Sequence, residues 1–402
     1  MDKYSVAILG SGLSGTFAAL KIAKDHKNIK TILIDTGAKP AKRKSQMMGF
    51  LGLLPSSDGK LFLNDISSLA QITGTKKANT AYKWFNSYIK NIIDAKIIKD
   101  RSPNISMEKK IRKAGFDIQL NNHIQIYPKD IHTLSKHIAN ILYSSKNITM
   151  SFDNEVFDIK KNKRSFIIET QNGEIEAKRI VIAVGRSGWR QAKQWYDEFD
   201  IVENNDIAKF GVRIEATSSV MKDFNKSCCS LVNNNLRIGP LSNGGTVLPE
   251  DHIDFANSSY RSNEGRWASD KVSFEFIADC NFPGRGIEET DRLAQLMFVL
   301  CNDRLVKEKL SSIIAKKSII SVLPEFDFLI HELKNIIEWF PDLIAKGYFY
   351  IPCVYPIFST IKVNNNFSTD ANGVYVAGES SGLHGLLAAA LSGISVGDSV
   401  CK

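Results

Sequence analysis

Three glycines, Gly10, Gly12 and Gly15, stand at the spacing G-x-G-x-x-G directly after the apolar run Ser5–Leu9, and an acid, Asp35, stands twenty residues beyond the last of them. Those residue types at that spacing serve one chemistry: holding a pyrophosphate on backbone N–H groups and a ribose on a carboxylate. The first glycine permits a tight turn, the second lets the backbone approach the phosphates, and the third lets a helix pack on the strand. The elements that must position them follow from this. A buried strand covers Ser5–Leu9, a helix covers Thr16–Lys24 with free N–H groups and positive potential at its start, and a second buried strand, Thr31–Ile34, delivers Asp35. Gly10, Ser11, Gly12, Leu13, Ser14 and Gly15 are expected against the phosphates, with Asp35 and Thr36 at the ribose.

A second set of chemistry-bearing residues lies near the other end. Gly373–Val376 reads as a strand running into Ala377-Gly378-Glu379, and Gly382 and Gly385 then open a helix over Leu386–Leu391. A strand that brings an acid to a glycine turn beside the first site suits FAD. Gly378 and Glu379 are expected at the ribityl or pyrophosphate region, and the N–H groups of Leu386 and Leu387 at the N1/O2 edge of the flavin. Between the two, Arg179–Val184 reads as a buried strand closing on Gly185, with Ala183 and Gly185 small enough to let the chain turn under the cofactor. The expected cofactor is one FAD, held without a covalent link.

A flavin supplies hydride or electron transfer; the protein adds a substrate pocket and any acid or base. Four residues are candidates for that work. His384, inside Ser380–Gly385, can donate a proton or contact the substrate, or stand as a structural histidine. Lys60 can neutralise flavin charge or hold an anionic substrate, or sit in a salt bridge. Arg213 shares a strand face with Glu215, so the two either pair with each other or line the cavity. Arg237 can grip a carboxylate. Cys228, Cys229, Trp189 and Trp195 read as packing rather than chemistry.

Together the three segments resemble flavoproteins of the glutathione-reductase-like two-dinucleotide-fold superfamily. More narrowly, Gly49-Phe50-Leu51-Gly52-Leu53-Leu54-Pro55-Ser56-Ser57-Asp58-Gly59-Lys60-Leu61 is similar to the G-F-G-G-A-G-x-F-S-D-G-K-L signature of the bacterial NAD(FAD)-utilising dehydrogenase group. Gly211-Val212-Arg213-Ile214-Glu215 is similar to its G-V-R-x-E and Ala377-Gly378-Glu379 to its A-G-E. Leu51 and Leu54 replace glycines, Ser56 replaces an aromatic, and Pro240 stands where many members carry a cysteine, which removes cysteine chemistry from the expectation. The resemblance implies an α/β chain with a discontinuous Rossmann-like FAD-binding domain and an inserted α+β substrate domain. It also implies that the strand beginning at Glu155-Val156 meets the adenine with its backbone.

That resemblance assigns residues 1–63, 115–195 and 345–402 to the FAD-binding domain and 200–345 to a substrate or cap domain. Residues 64–114 form a helical insertion over the flavin, with Tyr82, Trp84, Phe85 and Tyr88 facing its core. Pro128–Tyr143 reads as a helix with proline at its start. The second domain reads as β-rich at first (Ala208–Ile214, Lys271–Ala278), then helical over Ile287–Glu308 and Asp327–Trp339. Charged residues make up 24% and hydrophobic residues 43% of the 402 residues, which excludes a disordered chain. The net charge of +9 is spread along the chain, so nucleic acid is not expected as a partner. No apolar run is long enough to span a membrane, and no export signal is read. The six cysteines form no C-x-x-C, no metal is expected, and a reducing cytoplasm fits best. No second G-x-G-x-x-G follows a strand, so a nicotinamide reductant, NAD(P)H, would dock only transiently. The expectation is an FAD-dependent oxidoreductase, a dehydrogenase or reductase that moves a hydride between flavin and a small, anionic organic substrate. An FAD-dependent monooxygenase or oxidase, and a non-catalytic flavin-binding partner or redox sensor, are the alternatives.

Overall fold

The computed structural model of the chain describes residues 1–43, 48–53, 58–201, 203–224, 227–234, 236–249, 258–260, 268–355 and 360–402. Within the Gly49–Leu61 signature, residues 54–57, Ser56 among them, lie outside the described residues.

Four short runs rich in Val, Ile and Leu form a parallel sheet buried on both faces. Their order is Ile148–Ser151, Thr31–Ile34, Asp2–Leu9, Gly173–Ile182, and Val374–Val376 adds a fifth parallel strand beside the last. The antiparallel strands Ser165–Thr170 and Val156–Asn162 extend the same edge. The register matters for function. Leu9 pairs with Ile34 on one side and Ile182 on the other, and Ile182 pairs with Val376. All four strands therefore stop at one line, and the residues that follow them emerge at one carboxyl edge of the sheet, where α/β folds bind ligands.

The two distant parts of the chain are held together by helix packing. The helix Leu13–Asp25 lies against the helix Leu386–Ser399, and a Cβ on Gly393 would collide with the Ser14 carbonyl. Only a residue without a side chain lets these two helices come so close. The fold class is as expected: a Rossmann-like α/β unit with an α+β lobe inserted in it.

The lobe is built on a second sheet, whose strands run in the order Val306–Lys309, Tyr348–Tyr355, Ile207–Thr217, Lys271–Asn281, Leu236–Ile238, Ser230–Val232, Asp117–Gln119. Helices Gly286–Cys301 and Glu325–Trp339 accompany it; Leu293, Met297, Leu329 and Leu333 are buried in its core. Four elements differ from expectation. Tyr348–Tyr355 and Asp117–Gln119 both fall in spans expected to be FAD-binding, yet both pair into this sheet. The helix Ile105–Lys113, expected in the insertion, buries Met107 and Ile111 in the same core. Val306–Lys309, expected to end a helix, is a strand. Each of these depends on a partner more than thirty residues away, and local pattern does not reveal it.

Residues 64–114 are helical over Asp65–Thr73 and Thr75–Lys90. Phe85 is buried there and Tyr88 stacks on Trp84 at 5.3 Å, which makes these aromatics packing groups. A strand, Lys96–Ile98, joins Lys60–Phe62 and His123–Gln125 in a small sheet and ties the insertion to the main lobe. The expected helix after Pro128 runs Pro128–Ser144. Among the described residues no helix is long and apolar enough to cross a membrane.

Candidate functional site

The glycine turn has the geometry that its residue types require. Gly10 takes φ +95°, a region closed to most side chains, and a Cβ there would press on the Ala183 carbonyl. A Cβ on Gly15 would run into the Gly10 carbonyl, so the third glycine sets how closely the helix packs on the turn. The helix begins at Leu13 with Gly12 as its cap; no side chain caps it and no acid sits in its first turn. Its N–H groups are thus left for a ligand.

Asp35 is held from three directions. Ser11 donates to Oδ2 through its backbone N–H (2.6 Å) and its hydroxyl (2.8 Å), and the Gly37 N–H donates to Oδ1 at 2.6 Å. A carboxylate offers about four acceptor positions, which leaves room for a ribose hydroxyl. Ser11 and Gly15, both expected against the phosphates, do not line the cavity: the first fixes Asp35 and the second packs the helix.

Gly10, Gly12, Leu13, Ser14, Asp35 and Thr36 do line it, as one wall of a cavity of about 680 Å³. Val156, Ala183, Gly185 and Glu379 continue the wall; Gly378 lies just behind it, where a Cβ would meet Ser14 Oγ. The cavity is of the size that encloses a cofactor. An uncapped helix start, a rigid acid at the end of the second strand and small residues at the strand ends are the features an FAD requires, so these residues fit that group.

Sequence reasoning missed the partner of Glu379. Arg186 donates from Nε to both carboxylate oxygens, at 2.9 and 3.0 Å. Burial alone would raise the Glu379 pKa, but Arg186 and His384 outweigh it and hold the group at about 2. The signal was present: Arg186 directly follows Gly185, at the strand end opposite Glu379.

The catalytic candidates are placed unequally. Lys60 lines the cavity, with Nζ 3.0 Å from Ser242 Oγ and 3.5 Å from Asp58 Oδ2. Burial pulls its pKa down, while Cys228 and Asp58 hold it above the ordinary lysine value. Lys60 is therefore a fixed cation, suited to holding an anion and unsuited to taking a proton. Arg213 also lines the cavity, but its partner is Glu275, with Ser273 Oγ at 3.2 Å, and not Glu215. The antiparallel register sets Glu275 directly opposite Arg213, nearer than a neighbour two residues along the strand. Glu215 is held by Lys271 (3.0 Å), Lys307 (3.3 Å) and the Tyr350 hydroxyl (2.9 Å).

Arg237 and His384 do not line the cavity. The neighbours of Arg237, Leu236 and Ile238, face the core, so strand alternation turns the arginine outward, where Nη2 lies 3.4 Å from Ser230 Oγ. His384, with a side chain 45% exposed, stands at the rim, Nδ1 3.3 Å from Glu379 Oε1. This part of the wall thus carries cations each matched by a carboxylate, Lys60 with Asp58 and Arg213 with Glu275.

Two more residues were not foreseen. His123 is buried edge-on to Phe62, a cavity-wall residue, with Nδ1 2.9 Å from the Asn121 carbonyl; burial first, then Lys60, keeps it neutral. Asp65 is buried against the start of the C-terminal helix, where the Ala388 N–H donates to its Oδ2 at 3.0 Å. That carboxylate takes the helix end expected to serve the flavin. Leu386, expected at the flavin, lines the cavity together with Ala389; the Leu387 side chain is buried in the core and its N–H is turned to Asp65.

A family model described as "Glucose inhibited division protein A" matches residues 5–224. No curated protein matches the chain. Solved structures similar to it include glycine oxidase from Geobacillus kaustophilus, at 14% identity and TM-score 0.48, covering 100% of this chain and 95% of that one. A probable FAD-dependent monooxygenase from Pseudomonas aeruginosa aligns at 10% identity and TM-score 0.39, covering 99% and 84%. A flavoprotein/dehydrogenase from Cytophaga hutchinsonii aligns at 13% identity and TM-score 0.42, covering 99% and 78%.

Proposed function

The chain belongs to the glucose inhibited division protein A family, and from that premise we propose that this FAD-dependent oxidoreductase moves a hydride between its flavin and a small organic acid. One observation carries the reading. The strand register brings Gly10, Asp35, Ala183 and Ala377 to one edge, over a cavity that the inserted lobe closes with Arg213, Pro240, Ser242 and Glu275. The narrower kinship with NAD(FAD)-utilising dehydrogenases is part of the proposal, supported by Gly211–Glu215 and Ala377–Glu379. So is the division into an FAD-binding lobe and a substrate lobe.

Bound FAD supplies the two-electron chemistry. The N–H groups at Gly12–Ser14 hold the pyrophosphate, and Asp35, fixed by Ser11 and Gly37, holds a ribose hydroxyl. Residues 154–156 border the adenine side. Arg186 neutralises Glu379, so that the acid stands beside the phosphates without repelling them. In the substrate end, Lys60 Nζ binds the carboxylate of the substrate. Asp58 and Glu275 accept from a donor on the same molecule, which matches the balanced charges of that wall. Pro240 and Phe62 exclude water. His384, tethered through Nδ1 to Glu379, passes a proton between Nε2 and the solvent at the rim.

The test is anaerobic reduction of the purified protein. It should be yellow, should release FAD on denaturation, and should be reduced by a small hydroxy or amino acid in a screen, or by NAD(P)H. Lys60→Met should raise KM at least tenfold with FAD still bound. A yellow protein that no such donor reduces would move the reading to a flavin-binding module; a colourless one that takes up no added FAD would end it.

A further inference from the structure

We infer that Asp65 is a positioning residue that sets the charge at the start of the C-terminal helix and thereby holds the reduction potential of the flavin down. The inference rests on the FAD reading above.

A helix start carries about half a positive charge and several unpaired N–H groups. The helix Leu386–Ser399 has no acid in its first turn and a glycine as its cap, so nothing local neutralises it. Instead a carboxylate arrives from 323 residues away in sequence. Asp65 is the first residue of the insertion helix, 8% exposed, and accepts from Ala388. Gly385, at φ +111°, makes room for it: a Cβ there would collide with Asp65 Oδ2. A neutral serine or asparagine would cap the helix without the penalty of burying a charge. The charge is therefore the feature to explain.

Its neighbourhood explains it. Gly385, Leu386 and Ala389 line the cavity, so this helix end faces the cofactor space. Negative charge gained on reduction would meet the helix end with Asp65 already on it. Burial raises the Asp65 pKa to about 6 despite the N–H donors, so the group is ionised at neutral pH and stays sensitive to acid. The charged groups that reach it are Arg237, on the strand Leu236–Ile238, and His384, in the turn before the helix. Both favour the carboxylate form.

The experiment is a dye-coupled redox titration of the FAD-loaded protein, wild type against Asp65→Asn, at pH 8. The amide keeps an acceptor for Ala388 and removes the charge. The reduction equilibrium should move at least tenfold toward reduced flavin, about 30 mV for a two-electron couple. The gap should close below pH 6, where wild-type Asp65 takes up a proton. An unchanged potential with FAD bound overturns the inference while leaving the proposed function intact. A wild type that binds no FAD overturns the function instead. Should the variant alone lose FAD, the potential of His384→Gln, which keeps Asp65, is followed against pH beside free FAD: a break near pH 6 that free FAD lacks supports Asp65, and a profile parallel to that of free FAD refutes it.

Discussion

Two helix starts face the same cavity, and they are finished in opposite ways. The helix Leu13–Asp25 begins with Gly12, with no side-chain cap and no acid in its first turn. The helix Leu386–Ser399 also begins with a glycine, but Asp65 sits on it. Both starts are positive by construction, and neither has a local partner. The first is left open for a ligand that arrives with its own negative charge. The second is closed by a carboxylate from the insertion. Helix starts of identical polarity thus take different roles according to what the tertiary fold lays across them.

The sharpest way to break the comparison is to make the first start like the second. Gly12 has open space around its Cβ position, so Gly12→Asp should fold and cap the helix. It should weaken FAD binding by roughly three orders of magnitude, from about 4 kcal/mol of repulsion between close charges near a protein surface. Gly12→Ala should change affinity only a few-fold. Equilibrium binding of FAD to both variants checks this, and tight binding by Gly12→Asp would show that the phosphates lie elsewhere.

Acid titration separates the two carboxylates at the C-terminal end by sign. Glu379 has a depressed pKa, so its stabilisation is full above about pH 4.5 and is lost as pH falls toward 2. Asp65 has a raised pKa, so the native state binds the extra proton and stability declines as pH rises from about 4 to 6. Each effect is worth at most about 3 kcal/mol. In thermal melts of the FAD-free protein across pH, Glu379→Gln should flatten the acid limb and Asp65→Asn the limb between 4 and 6. Matching slopes in both variants would refute the assigned signs.

Gly385→Ala should destabilise by about 1–3 kcal/mol, through a strained φ and the collision with Asp65. Part of that cost should vanish in an Asp65→Ala background, because the collision goes and the strain remains. Strict additivity in the double-mutant cycle would mean that the two residues do not touch. The smallest expected effect is at the first site. Asp35→Ala should lose about 1–3 kcal/mol of FAD affinity while Ser11 and Gly37 lose their acceptor.

What the amino-acid sequence determined by itself is the set of positions where backbone chemistry is demanding. Gly10, Gly15, Asp35 and the Ala377-Gly378-Glu379 turn were legible because a positive φ, a close approach or an acid at a strand end can be met by few residue types. The apolar strands between them were legible for the same reason: a strand buried on both faces admits few polar residues. Partners were not legible. Glu275 rather than Glu215 answers Arg213, Arg186 answers Glu379, and Asp65 answers a helix 323 residues away. The strands Tyr348–Tyr355 and Asp117–Gln119 likewise joined the second sheet through distant neighbours. The physical reason is common to all. A conformational requirement acts within a few residues of chain, whereas a charge or a strand takes whichever partner the register and helix packing bring within a few ångströms, and those distances exist only once the chain has folded.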